Sequence, residues 1–403
     1  MAPPFGQFRA ACLRRRGNAR MRHGRRLVSA ESTQVEGAGA NLVPFALQCL
    51  RRMQLPTGLF CVDVARGAPE PRGESLRYTA MVLLGLLKAD AAGYAHGFEL
   101  GEIRAALLER LAHPALRPGD FGLLLWADAL TGGERAGDLE ERLGAALAAG
   151  GGLPAREGME VAWIAQGLAL SPAGRSSRGE ALLREALELL LGRNRAASGL
   201  FYHFGRRPGR AGLRRRFPNF ATQSYGVLAL TTIAKLDLHD AALGAARRTA
   251  DVLLALQLPD GGWPWLYDAD RGRVVERYEV YSVHQHAMAP MALLQLAEAG
   301  GGERYVEAAL AGLRWIDGRN ELGIAMVAPE ERMIYRSIRR RRPWDRLLLA
   351  ANTLSGWALG VPAVREGRRV ELNPVCCSYE LGWLCEAWAG RERLLAPGTA
   401  TVA

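Results

Sequence analysis

The sequence is nearly without lysine. Of its 52 basic residues only Lys88 and Lys235 are lysines. With so much alanine, glycine and leucine beside the arginines, this is the signature of GC-rich coding rather than of selection for anionic partners. Arginine clusters therefore carry less meaning than usual, and no nucleic-acid partner is expected. Long apolar runs are missing too: none approaches the ~20 residues that span a bilayer, so no transmembrane segment is expected. The N-terminus has no apolar core of the secretory kind. The six cysteines, Cys12, Cys49, Cys61, Cys376, Cys377 and Cys385, show no CxxC pairing, which points to neither a zinc site nor a disulfide framework. No metal and no cofactor are expected, and the expected location is cytoplasmic. Acids are absent from the start of the chain. Eight arginines precede the first, Glu31, and removing them from the net charge of +11 leaves +3 for the rest. Residues 1–31 read as an arginine-rich leader without a periodic apolar face, disordered unless it serves as a targeting segment or a membrane-surface tether.

What remains, residues 32–403, is long and apolar enough to bury a large core as a single domain. Its pattern is helical nearly throughout, and two kinds of helix alternate. Stretches beginning near Ser75, Asp120, Met159, Phe220, Ser282, Leu348 and Tyr379 are apolar all round. Those between them, such as Glu102–Leu111, Leu139–Leu147, Glu180–Leu191 and Ala241–Leu256, carry a charged face. The first kind belongs inside and the second outside. Strict alternation means repeated hairpins, and about six of them bury one helix of each pair best in a closed ring. The expectation is an all-α fold, an α/α toroid with inner and outer helix rings. An open solenoid would not make alternate helices so uniformly apolar. Seven apolar stretches are one more than six pairs need, so one of the last two is expected to be a closing half-pair.

Loop lengths give the ring a functional face. Inner-to-outer connections are short, whereas Leu55–Glu74, Asn194–Asn219, Leu258–Tyr281 and Glu321–Arg346 are long. All four would emerge at the N-termini of the inner helices, where unsatisfied N–H groups and the positive dipole end favour an anionic ligand. Within the third of them, WPWLYD and RVVERY read as two extended arms around Ala269-Asp270-Arg271-Gly272, a small β-hairpin over the mouth. Its second arm runs directly into Tyr281-Ser282-Val283-His284-Gln285-His286, the polar opening of an apolar helix.

A short repeat follows outer helices. Gln54-Leu55-Pro56-Thr57-Gly58-Leu59-Phe60 matches Gln257-Leu258-Pro259-Asp260-Gly261-Gly262-Trp263, and Arg195-Ala196-Ala197-Ser198-Gly199-Leu200-Phe201 is a weaker copy. This Q-x-x-x-G-x-aromatic unit resembles the QW motif of terpenoid cyclases, which are also α-toroids. Their acidic D-x-D-D motif has only a partial counterpart here, Asp268-Ala269-Asp270-Arg271, which departs at its fourth position. The longer run GGWPWLYD…YSVHQHAMAPMALL resembles carbohydrate-active toroids: six-hairpin glycosidases, N-acylglucosamine epimerases and pectate lyases with a GGWP turn. That resemblance covers about a tenth of the chain. It implies action on a sugar or uronate in a funnel at the ring's mouth.

The candidate chemistry lies at the helix openings. His284 and His286 are not spaced as the i, i+4 pair of a metal helix. Either can serve as a general acid or base, the alternative being that both cap the helix or bond to neighbouring loops. Glu160 and Glu380 open two other inner helices and are catalytic candidates, since sugar hydrolysis commonly sets two carboxylates across a bond. The alternative for each is an N-terminal charge favoured by the helix dipole. Trp265 and Tyr267 are ligand candidates because flat aromatics at a polar mouth stack on sugar rings, while Trp263, at the repeat position, reads as a structural wedge. Arg336, with Arg339 nearby, suits a bidentate contact to a uronate, phosphate or sulfate. The alternative is a solvated arginine run. Arg77, Tyr78, Gln223, Gln285 and Tyr379 complete the expected substrate-binding set. The expected ligand is a small molecule or oligosaccharide, and the expected activity hydrolysis, elimination or epimerisation of a sugar. An isoprenoid-cyclising toroid and a non-catalytic glycan-binding toroid are the alternatives.

Overall fold

A computed structural model describes residues 42–68, 70–205, 211–341, 345–359 and 370–395. The arginine-rich leader lies outside the described residues. The helices in order are α1 Leu42–Arg51, α2 Leu76–Ala91, α3 Leu100–Leu108, α4 Pro118–Leu130, α5 Ala136–Ala149 and α6 Gly158–Leu170. They continue with α7 Ser177–Glu188, a short α8 Ala211–Arg216, α9 Phe220–Lys235, α10 Ala241–Leu256 and α11 Ala289–Leu296. The last are α12 Glu303–Ile316, α13 Asp345–Leu359 and α14 Ser378–Trp388. A wide π turn, His284–Met288, leads into α11.

Six helices close a ring. α2 packs on α4, α4 on α6, α6 on α9, α9 on the His284–Leu296 helix, that helix on α14, and α14 back on α2. Each is sheathed from outside, α2 by α3, α4 by α5, α6 by α7, α9 by α10, α11 by α12 and α14 by α1. The fold is an α/α toroid in which the first described helix completes the pair of the last. Burial follows the sequence pattern. Every residue from Phe220 to Ile233 of α9 is buried, whereas α10 buries only the stripe Ala242, Ala245, Ala246, Thr249, Ala250 and Leu253. Glycine lets the inner helices touch backbone to backbone. A Cβ at Gly167 would lie 2.1 Å from the Gly122 carbonyl oxygen, and one at Gly85 would lie 2.0 Å from that of Gly382.

One expected inner helix is not inner. Leu348–Leu359 falls within α13, which packs on a mouth strand rather than in the ring and leaves Leu354 at 63% and Leu359 at 74% exposure. Its apolar composition imitates a core helix, but the ring is already closed by the other six.

The long loops form more sheet than the expected hairpin. β2 Leu266–Asp268 and β3 Arg273–Glu276 are that hairpin, turning through Gly272 at φ 60°. In addition β1 Asp63–Ala65 pairs with β9 Val375–Cys377, β4 Val280–Tyr281 with β7 Ser337–Arg340, β7 with β8 Val370–Asn373, and β5 Val327–Ala328 with β6 Met333–Ile334. Strands of two to four residues joining loops remote in sequence leave no readable period.

The repeat has a precise structural use. Its aromatics Phe60, Phe201 and Trp263 are fully buried wedges. The backbone N–H of each is taken by an inner-helix side chain: Thr79 Oγ1 at 2.8 Å, Gln223 Oε1 at 2.8 Å and Gln285 Oε1 at 3.1 Å. One inner-helix position thus pins the preceding turn three times around the ring.

Candidate active site

A cavity of about 190 Å³ opens among the N-terminal turns of the inner helices, which is small beside the ~300–1,000 Å³ typical of drug-sized ligands. Its walls are Arg77, Tyr78 and Met81 of α2, Met159 and Trp163 of α6, and Asn219, Ala221 and Tyr225 of α9. Trp265 of the hairpin, Tyr281, His284 and Met288 before α11, Arg336 of the loop between β6 and β7, and Tyr379 of α14 complete it. Four inner helices contribute an opening residue and one about a turn deeper: Arg77 and Tyr78 with Met81, Met159 with Trp163, Ala221 with Tyr225, and His284 with Met288.

Two arginines supply the charge, and each is held from behind. Arg77 Nη2 lies 3.2 Å from Asp120 Oδ2, with Nε bonded to the other oxygen, and its guanidinium sits 5.5 Å from the Trp163 ring. Asp120 is the third residue of α4 and also accepts the N–H of Arg117 at 2.8 Å. Arg336 Nη1 donates to Glu380 Oε1 at 3.1 Å and contacts Cys377 Sγ, with its guanidinium 5.2 Å from the Tyr281 ring. Burial opposes the charge of both arginines. The hydrogen bond and charge of Asp120 nevertheless hold Arg77 above its ordinary range, and the charge of Glu380 does the same for Arg336. Burial pushes Glu380 up to about 7, with Arg336 working against that rise.

His284 is the imidazole on the wall. Its ring is within 10° of parallel to Trp265 at a centroid distance of 6.0 Å, 4.8 Å from Phe220 and 5.3 Å from Tyr281. Burial lowers it to about 3, with repulsion from Arg336 next and His286 after that, so its imidazole is neutral. The π turn that presents it has a local cause. Pro290 has no N–H to offer the His286 carbonyl four residues earlier, and Trp388 Nε1 fills that place at 2.7 Å. Ala289 N bonds instead to the His284 carbonyl, the wide turn that often marks functional sites.

The remaining sequence candidates fall elsewhere. His286 is fully buried behind the wall, neither ring nitrogen has a protein partner, and burial lowers it to about 3. Glu160 lies over Gly119 and caps α6 through the Glu157 N–H at 3.4 Å; burial raises its pKa, with the charge of Arg77 opposing. Gln223 and Gln285 are spent on the repeat turns, Gln223 Nε2 on Phe201 O at 2.9 Å and Gln285 Nε2 on Tyr281 O at 3.0 Å. Tyr267 is wholly buried at the base of the hairpin. Asp268, of the partial D-x-D-D, is fully buried and bidentate with Arg216 at 2.7 and 3.0 Å. Arg339 pairs with Glu371 at 3.0 Å. The structure therefore brings together Arg77, Tyr78, Trp265, His284, Arg336 and Tyr379, with Glu380 directly behind. Sequence reasoning pointed to Tyr225 through Gln223-Ser224-Tyr225 at the opening of an inner helix, but did not single out Asp120, Trp163 or the three methionines. The spacing of three to four residues beyond the openings was the available signal for Met81, Trp163 and Met288. Among the described residues no group of His, Cys, Asp and Glu is arranged to hold a metal ion.

No family model matches the sequence, nor does any curated protein. The fold, an α/α toroid, is shared with solved structures of carbohydrate-active enzymes. One is an unsaturated glucuronyl hydrolase specific for heparin, 14% identical with a TM-score of 0.55, the match covering 87% of this chain and 96% of that one. A sugar epimerase from a ruminal bacterium matches at 11% identity and 0.59, over 87% and 96%. The cellobiose 2-epimerase of Bacillus thermoamylovorans B4167 matches at 10% and 0.57, over 87% and 99%.

Proposed function

We propose that this protein is an enzyme acting on an acidic sugar of the uronate type, bound in the ring-mouth cavity, and that its chemistry is proton transfer by His284. The observation that carries the reading is the lining itself: two fixed guanidiniums, a neutral imidazole and a set of flat aromatics around a space for one small ring. Arg77 and Arg336 suit a sugar carboxylate, because their positions are set beforehand by Asp120 and Glu380. Trp265 suits the apolar face of a pyranose. Pairing of the ligand's carboxylate with Arg336 offsets the repulsion that helps lower His284, which favours its acting as a base.

Among the described residues no carboxylate lines the cavity wall, which weighs against hydrolysis by two facing carboxylates and in favour of elimination or epimerisation, which begin with removal of a carbon-bound proton. The burial of Asp268 against Arg216 likewise weighs against an isoprenoid cyclase that protonates from that motif. Incubation with glucuronate, galacturonate and a glycoside of each in D₂O, followed by proton NMR, tests the reading. Solvent deuterium is expected to enter at the carbon next to the carboxylate, and not with His284→Gln. Release of sugar from a uronide without any carbon-bound exchange would replace proton abstraction by hydrolysis.

A further inference from the structure

One row of the mouth sheet sends its polar side chains to a single carboxylate. Tyr281 of β4 lies opposite Ser337 of β7, and Ser337 lies opposite Asn373 of β8. Residues paired in this way project from the same face of an antiparallel sheet. Glu279, just before β4, reaches that row. Its Oε2 accepts the Tyr281 hydroxyl at 3.1 Å, and its Oε1 accepts Asn373 Nδ2 at 3.0 Å and the Ser337 hydroxyl. The three strands already pair through their backbones. Pairing alone therefore gives no reason to half-bury a charge among neutral donors.

What the carboxylate holds supplies the reason. The Tyr281 ring is the common neighbour of three groups that the proposed reaction uses. It lies 5.0 Å from the Trp265 ring and 5.3 Å from the imidazole of His284, and the Arg336 guanidinium stands over it at 5.2 Å. Tyr281 is only half-buried, so packing alone leaves its ring free to turn, and fixing the hydroxyl fixes the far end of the ring. Donation to a carboxylate is charge-assisted and stronger than donation to a neutral acceptor. It also polarises the phenol, which favours a cation over the ring face. Arg336 immediately precedes Ser337, so the same carboxylate holds both sides of that contact.

We infer that Glu279 is a positioning residue for the reactive end of the cavity. Through the Tyr281 hydroxyl it sets the ring against which Trp265, His284 and Arg336 are arranged. Glu279 is not among the residues of the cavity wall, so it acts through Tyr281 rather than on the ligand. The roles of the three arranged groups rest on the uronate reading above, whereas the positioning itself does not.

The test compares Glu279→Gln, Tyr281→Phe and the double variant in the full-length chain. Glutamine keeps the size of the side chain but has a single acceptor oxygen, so it cannot serve all three donors as the carboxylate does. Tyr281→Phe removes only the hydroxyl. His284 and Trp265 ring resonances are read by NMR in the ligand-free protein, turnover by deuterium entry into the uronate, and Tm by circular dichroism. Each single variant is expected to shift both sets of resonances and to lower turnover about tenfold, the scale of a small misplacement at a reacting centre. The double variant should do no more than either single one, as for groups that act as one unit. Resonances of His284 and Trp265 left unmoved by Glu279→Gln would overturn the inference. So would losses that add in the double variant and follow Tm, which would make Glu279 a tie between strands. Shifted, non-additive resonances in a protein that exchanges no uronate proton would uphold the positioning and reject the uronate reading instead.

Discussion

The indole of Trp265 lies within 10° of parallel to the imidazole of His284, their centroids 6.0 Å apart. One ring comes from the hairpin and the other from the π turn, and a short chain segment joins them. The aromatic that suits a sugar face and the base proposed to act on it are thus positioned as a unit. Trp265→Ala is expected to weaken uronate binding about tenfold, consistent with the ~1 kcal/mol of an aromatic contact plus lost area, while Tm moves little because the indole is only half-buried. A loss of several degrees with unchanged binding would make Trp265 a hairpin support.

His284→Gln is expected to lower turnover at least ~10²-fold, the size typical of a lost general base. Uronate binding, held mainly by the arginines, should fall far less. Equal losses in turnover and binding would place His284 among the binding groups.

His286 is expected to affect acid stability rather than the reaction. Its folded pKa of about 3 lies below the ordinary 6.5. The unfolded chain therefore binds the extra proton between pH 6.5 and 3, and this residue costs stability as pH falls through that window. His286→Phe removes the titration. Its stability relative to wild type should improve by roughly 2 kcal/mol between pH 8 and pH 5, read from urea midpoints, with uronate affinity unchanged. A pH-independent difference would show that burial does not hold this imidazole neutral.

Gln223→Leu and Gln285→Leu should each cost about 1–3 kcal/mol of stability, because each leaves a buried backbone N–H and a backbone carbonyl without their partner. Folded fractions are expected to bind uronate normally. Selective loss of binding with unchanged stability would show that these amides reach the ligand.

Much of this architecture is legible in the sequence because rings of helices bury whole faces. The apolar stretches at Ser75, Asp120, Met159, Phe220, Ser282 and Tyr379 became the inner ring for that reason, and the short and long loops sorted onto opposite ends. α13 misled because composition reports apolarity and not which partner covers it. The site was legible only to the depth of one helical turn. Arg77, Tyr78, His284 and Tyr379 stand at helix openings and were found there. Gln223 and Gln285 stand at openings too, but the backbone they clamp belongs to the preceding turn, and a glutamine suited to a sugar looks the same as one suited to an amide. Asp120 escaped notice because its role depends on Arg77 of a neighbouring inner helix, a pairing that closing the ring creates.

Calorimetric titration of the full-length protein with glucuronate and with glucose measures the central claim, that two preset guanidiniums select an acidic sugar. Glucuronate is expected to bind saturably and at least tenfold more tightly than glucose, equivalent to about 1.4 kcal/mol, with Arg336→Gln abolishing the difference. Equal affinity for the two sugars, or a preference that survives Arg336→Gln and Arg77→Gln alike, would contradict it.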